Sequence, residues 1–173
     1  MKNLFKKIWS KKKQIFLTLL ILFIIIQFIR PTRNMGIAEN ANDITHATTV
    51  PADVDTILKT SCYDCHSDHT VYPWYTNIQP VGWWMTGHVN DGKRGLNFSQ
   101  FNSYGIKRKM KKYKQISDEV NDPDGMPLDS YLWIHTYAKL SDAQKKTISD
   151  WAMENRKQME QQYPDSIPPE KKN

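Results

Sequence analysis

The sequence predicts an all-α protein: a small helical domain behind a single N-terminal transmembrane helix. Three observations carry this. A largely apolar run, Ile15 to Ile29, follows a basic N-terminus. Apolar residues recur at i, i+3, i+4 in several later stretches, the spacing of one helix face. Ser141 and Gln144 open the last of these as a capping box. At 173 residues there is room for one modest domain plus extras. The expected division is a basic cytoplasmic N-terminus at 1–14, an anchor at 15–29, a linker at 30–50, the domain at 51–160 and a flexible tail at 161–173.

The N-terminal elements follow from charge and length. Residues 1–33 hold eight of the 24 Lys and Arg and no acidic residue, which leaves 16 basic against 18 acidic residues elsewhere. The formal charge of +6 is therefore a property of the N-terminus and no sign of nucleic-acid binding. No nucleic-acid motif is present. Within 15–29 only Thr18 and Gln27 are polar. Fifteen helical residues span about 22 Å, less than a hydrocarbon core of roughly 30 Å. Lys13 and Arg30 can snorkel and extend the usable span. A cleaved signal peptide and an uncleaved signal anchor both fit. The lack of an A-x-A site favours the anchor, since Ala38 and Ala41 are three apart. A core helix would carry a polar face. The positive-inside rule then places everything after Arg30 outside, in the periplasm of a bacterial inner-membrane protein with one span.

The chemistry is concentrated in Cys62-Tyr63-Asp64-Cys65-His66, which holds the only two cysteines. Two thiols three positions apart can reach the two vinyl groups of one haem and form thioethers. The following histidine then supplies an axial nitrogen to the iron. This is the pattern of covalent attachment of one haem c, with Cys62 and Cys65 binding the group and His66 binding the iron. A structural zinc site needs four ligands and finds no second Cys pair. A thioredoxin-like dithiol needs a βαβ setting, and nothing nearby alternates like a strand. Six Trp and eight Tyr fit a small haem domain, in which aromatics and the haem supply much of the buried surface.

The remaining elements follow in order. Residues 31–50 are polar and aperiodic, as in a linker, with His46 expected in solvent. Val54, Ile57 and Leu58 predict a short helix leading into Cys62. Pro80 suits the first turn of the next helix. Val81, Trp84, Met85 and His88 share one face of it, and this face is either plain core or a source of an iron ligand. A third helix is expected from Ser99 as N-cap, with Phe101, Ile106, Met110 and Tyr113 inside. Its run of Lys107, Arg108, Lys109, Lys111, Lys112 and Lys114 reads as a solvated face, or as a docking patch for an acidic redox partner or anionic lipid. Asp122 to Pro127 is a turn-rich loop, which Pro127 keeps from being helical. Ile148, Trp151, Ala152 and Met159 form the inner face of the capped last helix.

Cys62 to His66, Tyr72-Pro73-Trp74-Tyr75, Pro80-Val81, Trp83-Trp84, Leu96-Asn97-Phe98-Ser99, Met126-Pro127 and Ala138 to Asp142 together resemble the bacterial haem-binding domain family, itself similar to class I c-type cytochromes. The resemblance covers roughly residues 50–155. It implies a cytochrome c-like all-α fold and a distal methionine before the last helix, which maps to Met126. Ordinary class I cytochromes lack the Y-P-W-Y and W-W segments. His88 is the alternative sixth ligand; Met85, His69 and His135 are weaker ones. A saturated iron implies an electron carrier rather than an enzyme, with a redox partner that could dock on Lys107–Lys114. A labile sixth position would instead imply a redox or gas sensor or a peroxidase-like enzyme.

Overall fold

The computed structural model describes residues 2–168. The described residues are helical and contain no strand; an isolated antiparallel bridge joins Met35 and His69. In chain order the α-helices are α1 Lys2–Ile26, α2 Ile44–Ala47, α3 Ala52–Ser61, α4 Tyr63–His66, α5 Val81–Gly95, α6 Ile106–Asn121, α7 Asp129–Leu132 and α8 Asp142–Gln162. Short 3₁₀ turns occupy Trp74–Asn77, Phe98–Ser103, Thr136–Ala138 and Pro164–Ser166. The chain divides into two compact units, Met1–Arg33 with Tyr72–His88, and Asn34–Val71 with Val89–Asn173.

In the first unit, α1 stops at Ile26, three residues before the apolar run ends. The amides of Gln27, Phe28 and Ile29 each bond the carbonyl three residues back, so the last turn is tightened. Pro31 explains the stop, because Arg30 before it is driven out of helical geometry. The apolar part of α1 is therefore twelve residues, Ile15 to Ile26, or about 18 Å. Among the described residues, no helix is long and apolar enough to cross a membrane. Every Ile, Leu and Phe from Ile15 to Ile25 is nevertheless 41–65% exposed.

The second unit is built on α6 packed against α8. Met110, Tyr113, Ile116 and Val120 bury one face of α6, and Ile148, Trp151 and Ala152 the facing side of α8. Tyr113 meets Trp151 edge-on at 5.8 Å and Phe101 at 5.0 Å. Val54, Ile57 and Leu58 of α3 complete the core, each burial contributing about 1.5–3 kcal/mol. The capping box forms as expected: Ser141 Oγ accepts from Gln144 N, and Gln144 Oε1 accepts from Ser141 N.

Two stretches differ from expectation. Ser99 does not cap a helix. Its hydroxyl accepts from Asp68 N, and Asn97 caps a 3₁₀ turn that buries Phe98 and Phe101. The helix begins only at Ile106, after Gly105. Residues 34–50 contribute Asp43 and Ile44, both fully buried, although their sequence has no periodicity. Asp43 caps α2 and accepts a hydrogen bond from Tyr63 Oη at 2.9 Å, which fixes this stretch to the unit. Beyond α8, Pro164–Ser166 forms a turn; the part of the expected tail from 169 onward lies outside the described residues.

Candidate functional site

Cys62 ends α3, its amide bonding Leu58 O, and its own carbonyl accepts from both Cys65 N and His66 N. One tight turn therefore carries both thiols and the imidazole, with the cysteines three apart on one side. Asp64, between them, ties the turn down. Its Oδ1 accepts from Val71 N at 3.2 Å, its Oδ2 from Tyr131 Oη at 2.8 Å, and its carbonyl from Thr70 Oγ1 at 2.6 Å. The second half of α5 passes directly over Cys65. A Cβ on Gly92 would lie 2.6 Å from Cys65 O, so only glycine fits there.

His66 is oriented by the backbone: the Gly92 backbone contributes one hydrogen bond, and Nδ1 donates to Leu96 O at 2.9 Å. That bond fixes the tautomer and leaves Nε2 as the nitrogen available to a metal. Burial holds the His66 pKa below its ordinary value, opposed in part by the hydrogen bonds to the Leu96 and Gly92 backbone, and so favours the neutral ring. The Leu96 carbonyl is itself held. Asn97 N donates to Tyr104 Oη, and Asn97 Nδ2 to Asp68 Oδ1 at 2.8 Å. Asp68 also pairs with Lys93 at 2.9 Å and accepts from Gln100. Burial works against the Asp68 carboxylate, but Gln100, Asn97 and Lys93 outweigh it and keep its pKa below the usual range.

Both cysteines are free thiols, half-buried among protein atoms. Burial, with Cys65 nearby, pushes the Cys62 pKa up to about 12; burial and the Asp64 charge push Cys65 up to about 11. Protonated thiols of this kind are poor redox nucleophiles and poor metal ligands, which argues against a thioredoxin-like dithiol. Among the described residues, no group of three or more His, Cys, Asp and Glu is placed to hold an ion. The residues do fit a haem: a neutral, oriented imidazole beside two reduced sulfurs on one turn.

The haem-binding domain family matches residues 21–154, more than half of the chain. The chain belongs to this family. No curated protein and no solved structure matches it. The match begins inside the apolar run, so it takes in more than the resemblance read from the motifs.

Were His66 to ligate a bound haem, a second ligand could come from several residues, and these fall in different places. Met126 is half-buried in the second unit, the unit of His66. Its amide donates to Glu119 O at 3.0 Å, and a Cβ on Gly125 would lie 2.0 Å from that same oxygen. Met85 is buried and His88 half-buried, both in the first unit. His88 Nδ1 donates to Trp84 O, and its ring lies 4.5 Å from Trp84. On that face Val81 and Trp84 are exposed, so it is not plain core. His69 is held in the bridge to Met35 with Nδ1 donating to Gly36 O at 3.1 Å. His135 is buried and stacks on Tyr131 at 4.1 Å, as a satisfied core histidine would. His46 is exposed.

Asp64, Asp68, Gly92 and Tyr131 were not singled out from sequence. Asp64 lies inside the pentapeptide, but its partners are seven and 67 residues away. Nothing in the local pattern marks Gly92 as the point where α5 crosses Cys65.

The thiol pKa values give a test. The folded chain keeps thiol protons that the unfolded chain releases above the ordinary value of 9.0. In the reduced, haem-free chain this stability is complete below pH 9 and is lost as pH rises above it. Thioether sulfurs have no such proton. The melting temperature of the haem-free chain should therefore fall as pH rises from about 9, and that of the haem-bearing chain should fall less over the same range. Parallel behaviour of the two would contradict the assignment of both cysteines to thioethers.

Proposed function

We propose that this protein is a membrane-anchored mono-haem c-type protein, cytochrome c-like, that carries electrons on the outer side of the cytoplasmic membrane. The observation that carries the reading is the single turn presenting Cys62, Cys65 and a His66 whose Nδ1 is committed to Leu96 O. Cys62 and Cys65 would hold one haem as thioethers, His66 would ligate its iron, and Met126 would supply the sixth ligand, with His88 the alternative. The haem, once bound, supplies a one-electron couple at its iron. Leu96 O keeps the imidazole basic and correctly turned. Asp68, Lys93 and Asn97 keep Leu96 in place. Asp64 and Tyr131 tie the pentapeptide to the segment after Met126-Pro127.

Two further features support the reading. Apolar side chains exposed all along α1, between the exposed Lys11–Lys13 and Arg30, suit a lipid environment, with snorkelling and local thinning accommodating the short span. The basic run of α6 is partly used within the protein. Lys114 pairs with Asp118, Lys109 donates to Asn102 and Lys112 to Gln115, while Arg108 stacks on Tyr104 at 3.9 Å. Lys107, Arg108 and Lys111 remain exposed and are the part we assign to an acidic redox partner.

The experiment is electron exchange between the reduced protein and an acidic redox protein, followed by stopped flow. A carrier with both axial positions filled should be indifferent to carbon monoxide, and its rate should fall as salt rises, because exposed charges are screened over about 10 Å at 0.1 M. Rapid binding of carbon monoxide that blocks exchange would favour a sensor or a peroxidase-like enzyme. A rate independent of salt would remove the α6 docking role.

A further inference from the structure

Val71 to Asn90 contains no Lys, Arg, Asp or Glu, in a chain of which 24% is charged. It also contains Tyr72, Trp74, Tyr75, Trp83 and Trp84. Nothing in covalent haem attachment requires either property.

Within the first unit, this segment is fastened to the residues that leave the apolar helix. Gln27, the polar interruption of the apolar run, pairs with both backbone groups of Gln79. Its Oε1 accepts from Gln79 N at 2.8 Å, and its Nε2 donates to Gln79 O at 3.2 Å. Two residues on, Ile29 O accepts from Trp83 Nε1 at 2.7 Å. Arg33 then donates to Asn77 Oδ1 at 2.6 Å and lies over the Tyr72 ring, 5.0 Å from its centre. The fastening is close-packed. Gln79 is only 1% exposed, and its Oε1 accepts from Trp83 N at 3.0 Å. A Cβ on Gly82 would come within 2.5 Å of Thr76 O and 2.9 Å of the Gln79 amide.

The outer surface of this assembly is apolar. Trp74 is 75% exposed, and Trp84, Ile78 and Val81 are exposed as well. We propose that Tyr72–Trp84 is a membrane-interface collar: a charge-free aromatic surface, fixed to the outer end of α1, that seats in the headgroup region of the bilayer.

The composition decides between occupants. An acidic or basic protein partner would be met by opposite charge, and this stretch has none. Trp and Tyr combine an apolar ring with a polar hydrogen, the combination enriched at membrane–water boundaries, and Arg30 and Arg33 lie at the same end to meet phosphate. The collar also answers the shortness of α1, because interfacial aromatics anchor a span that does not fill the hydrocarbon. Pairing Gln27 with the Gln79 backbone satisfies polar groups that could not find water there. The proposal rests on the anchor reading above, and the test separates the two.

The full haem-bearing chain is placed in phospholipid vesicles containing one of two photoactivatable lipids. One carries a diazirine at the headgroup, the other deep in the acyl chain, and the labelled peptides are mapped by mass spectrometry. The deep probe should label Ile15–Ile26. The headgroup probe should label 72–84 well above the level on α8. Deep labelling of Ile15–Ile26 with 72–84 as silent as α8 would overturn the collar and leave the anchor standing; this is also the outcome if a protein covers the aromatic surface. No labelling of Ile15–Ile26 by the deep probe would overturn the anchor, and the collar with it.

Discussion

Cys62→Ser combined with Cys65→Ser is expected to turn a permanently haem-bearing protein into one whose haem exchanges and is lost. The wild-type chain would hold the group by two carbon–sulfur bonds, which no equilibrium releases. In the variant only His66 and the sixth ligand remain. The turn itself should survive, since it is held by Asp64, Val71, Thr70 and Tyr131 rather than by the sulfurs. The loss would therefore appear as release of haem to an excess of a haem-scavenging protein, with helical content kept by the α6–α8 core. Either single variant should keep one thioether and stay haem-bearing. Full retention of haem by the double variant would show that the sulfurs do not hold it.

Met126→Ala is expected to produce the largest spectroscopic change of any substitution outside the pentapeptide. Removing a thioether ligand should leave the ferric iron high-spin and let the ferrous protein bind carbon monoxide. The weak charge-transfer band at the red end of the ferric spectrum should vanish. The reduction potential should fall, because a methionine ligand raises it relative to nitrogen or water. The assignment favours Met126 because its loop shares a compact unit with His66 and is held back on α6 by the bond from Met126 N to Glu119 O. His88→Ala and Met85→Ala serve as comparisons and should remain low-spin. A high-spin His88→Ala beside an unchanged Met126→Ala would transfer the role to His88.

What was legible in the sequence was what is local. The pentapeptide needs only five adjacent residues. Ser141 and Gln144 are three apart and form the expected capping box, and Ile148, Trp151 and Ala152 face the core at helical spacing. The all-α class and the haem-binding domain family were both readable for this reason. Contacts made across long stretches of chain were not. Asp43 and Ile44 are buried in a stretch with no period, because Asp43 answers Tyr63, twenty residues on. Ser99 has the chemistry of an N-cap, yet its hydroxyl serves Asp68, 31 residues earlier. Gln27 interrupts the apolar run because Gln79 waits for it 52 residues later. The orientation of His66 likewise depends on a backbone carbonyl, Leu96 O, whose side chain gives no hint of the role.

The most direct measurement is extraction of the native protein with acidified acetone, followed by the mass of the intact chain. The red colour should stay with the precipitated polypeptide, and its mass should exceed that of the 20.3 kDa chain by one haem. Haem that passes wholly into the organic phase, leaving the bare chain mass, would contradict covalent attachment through Cys62 and Cys65.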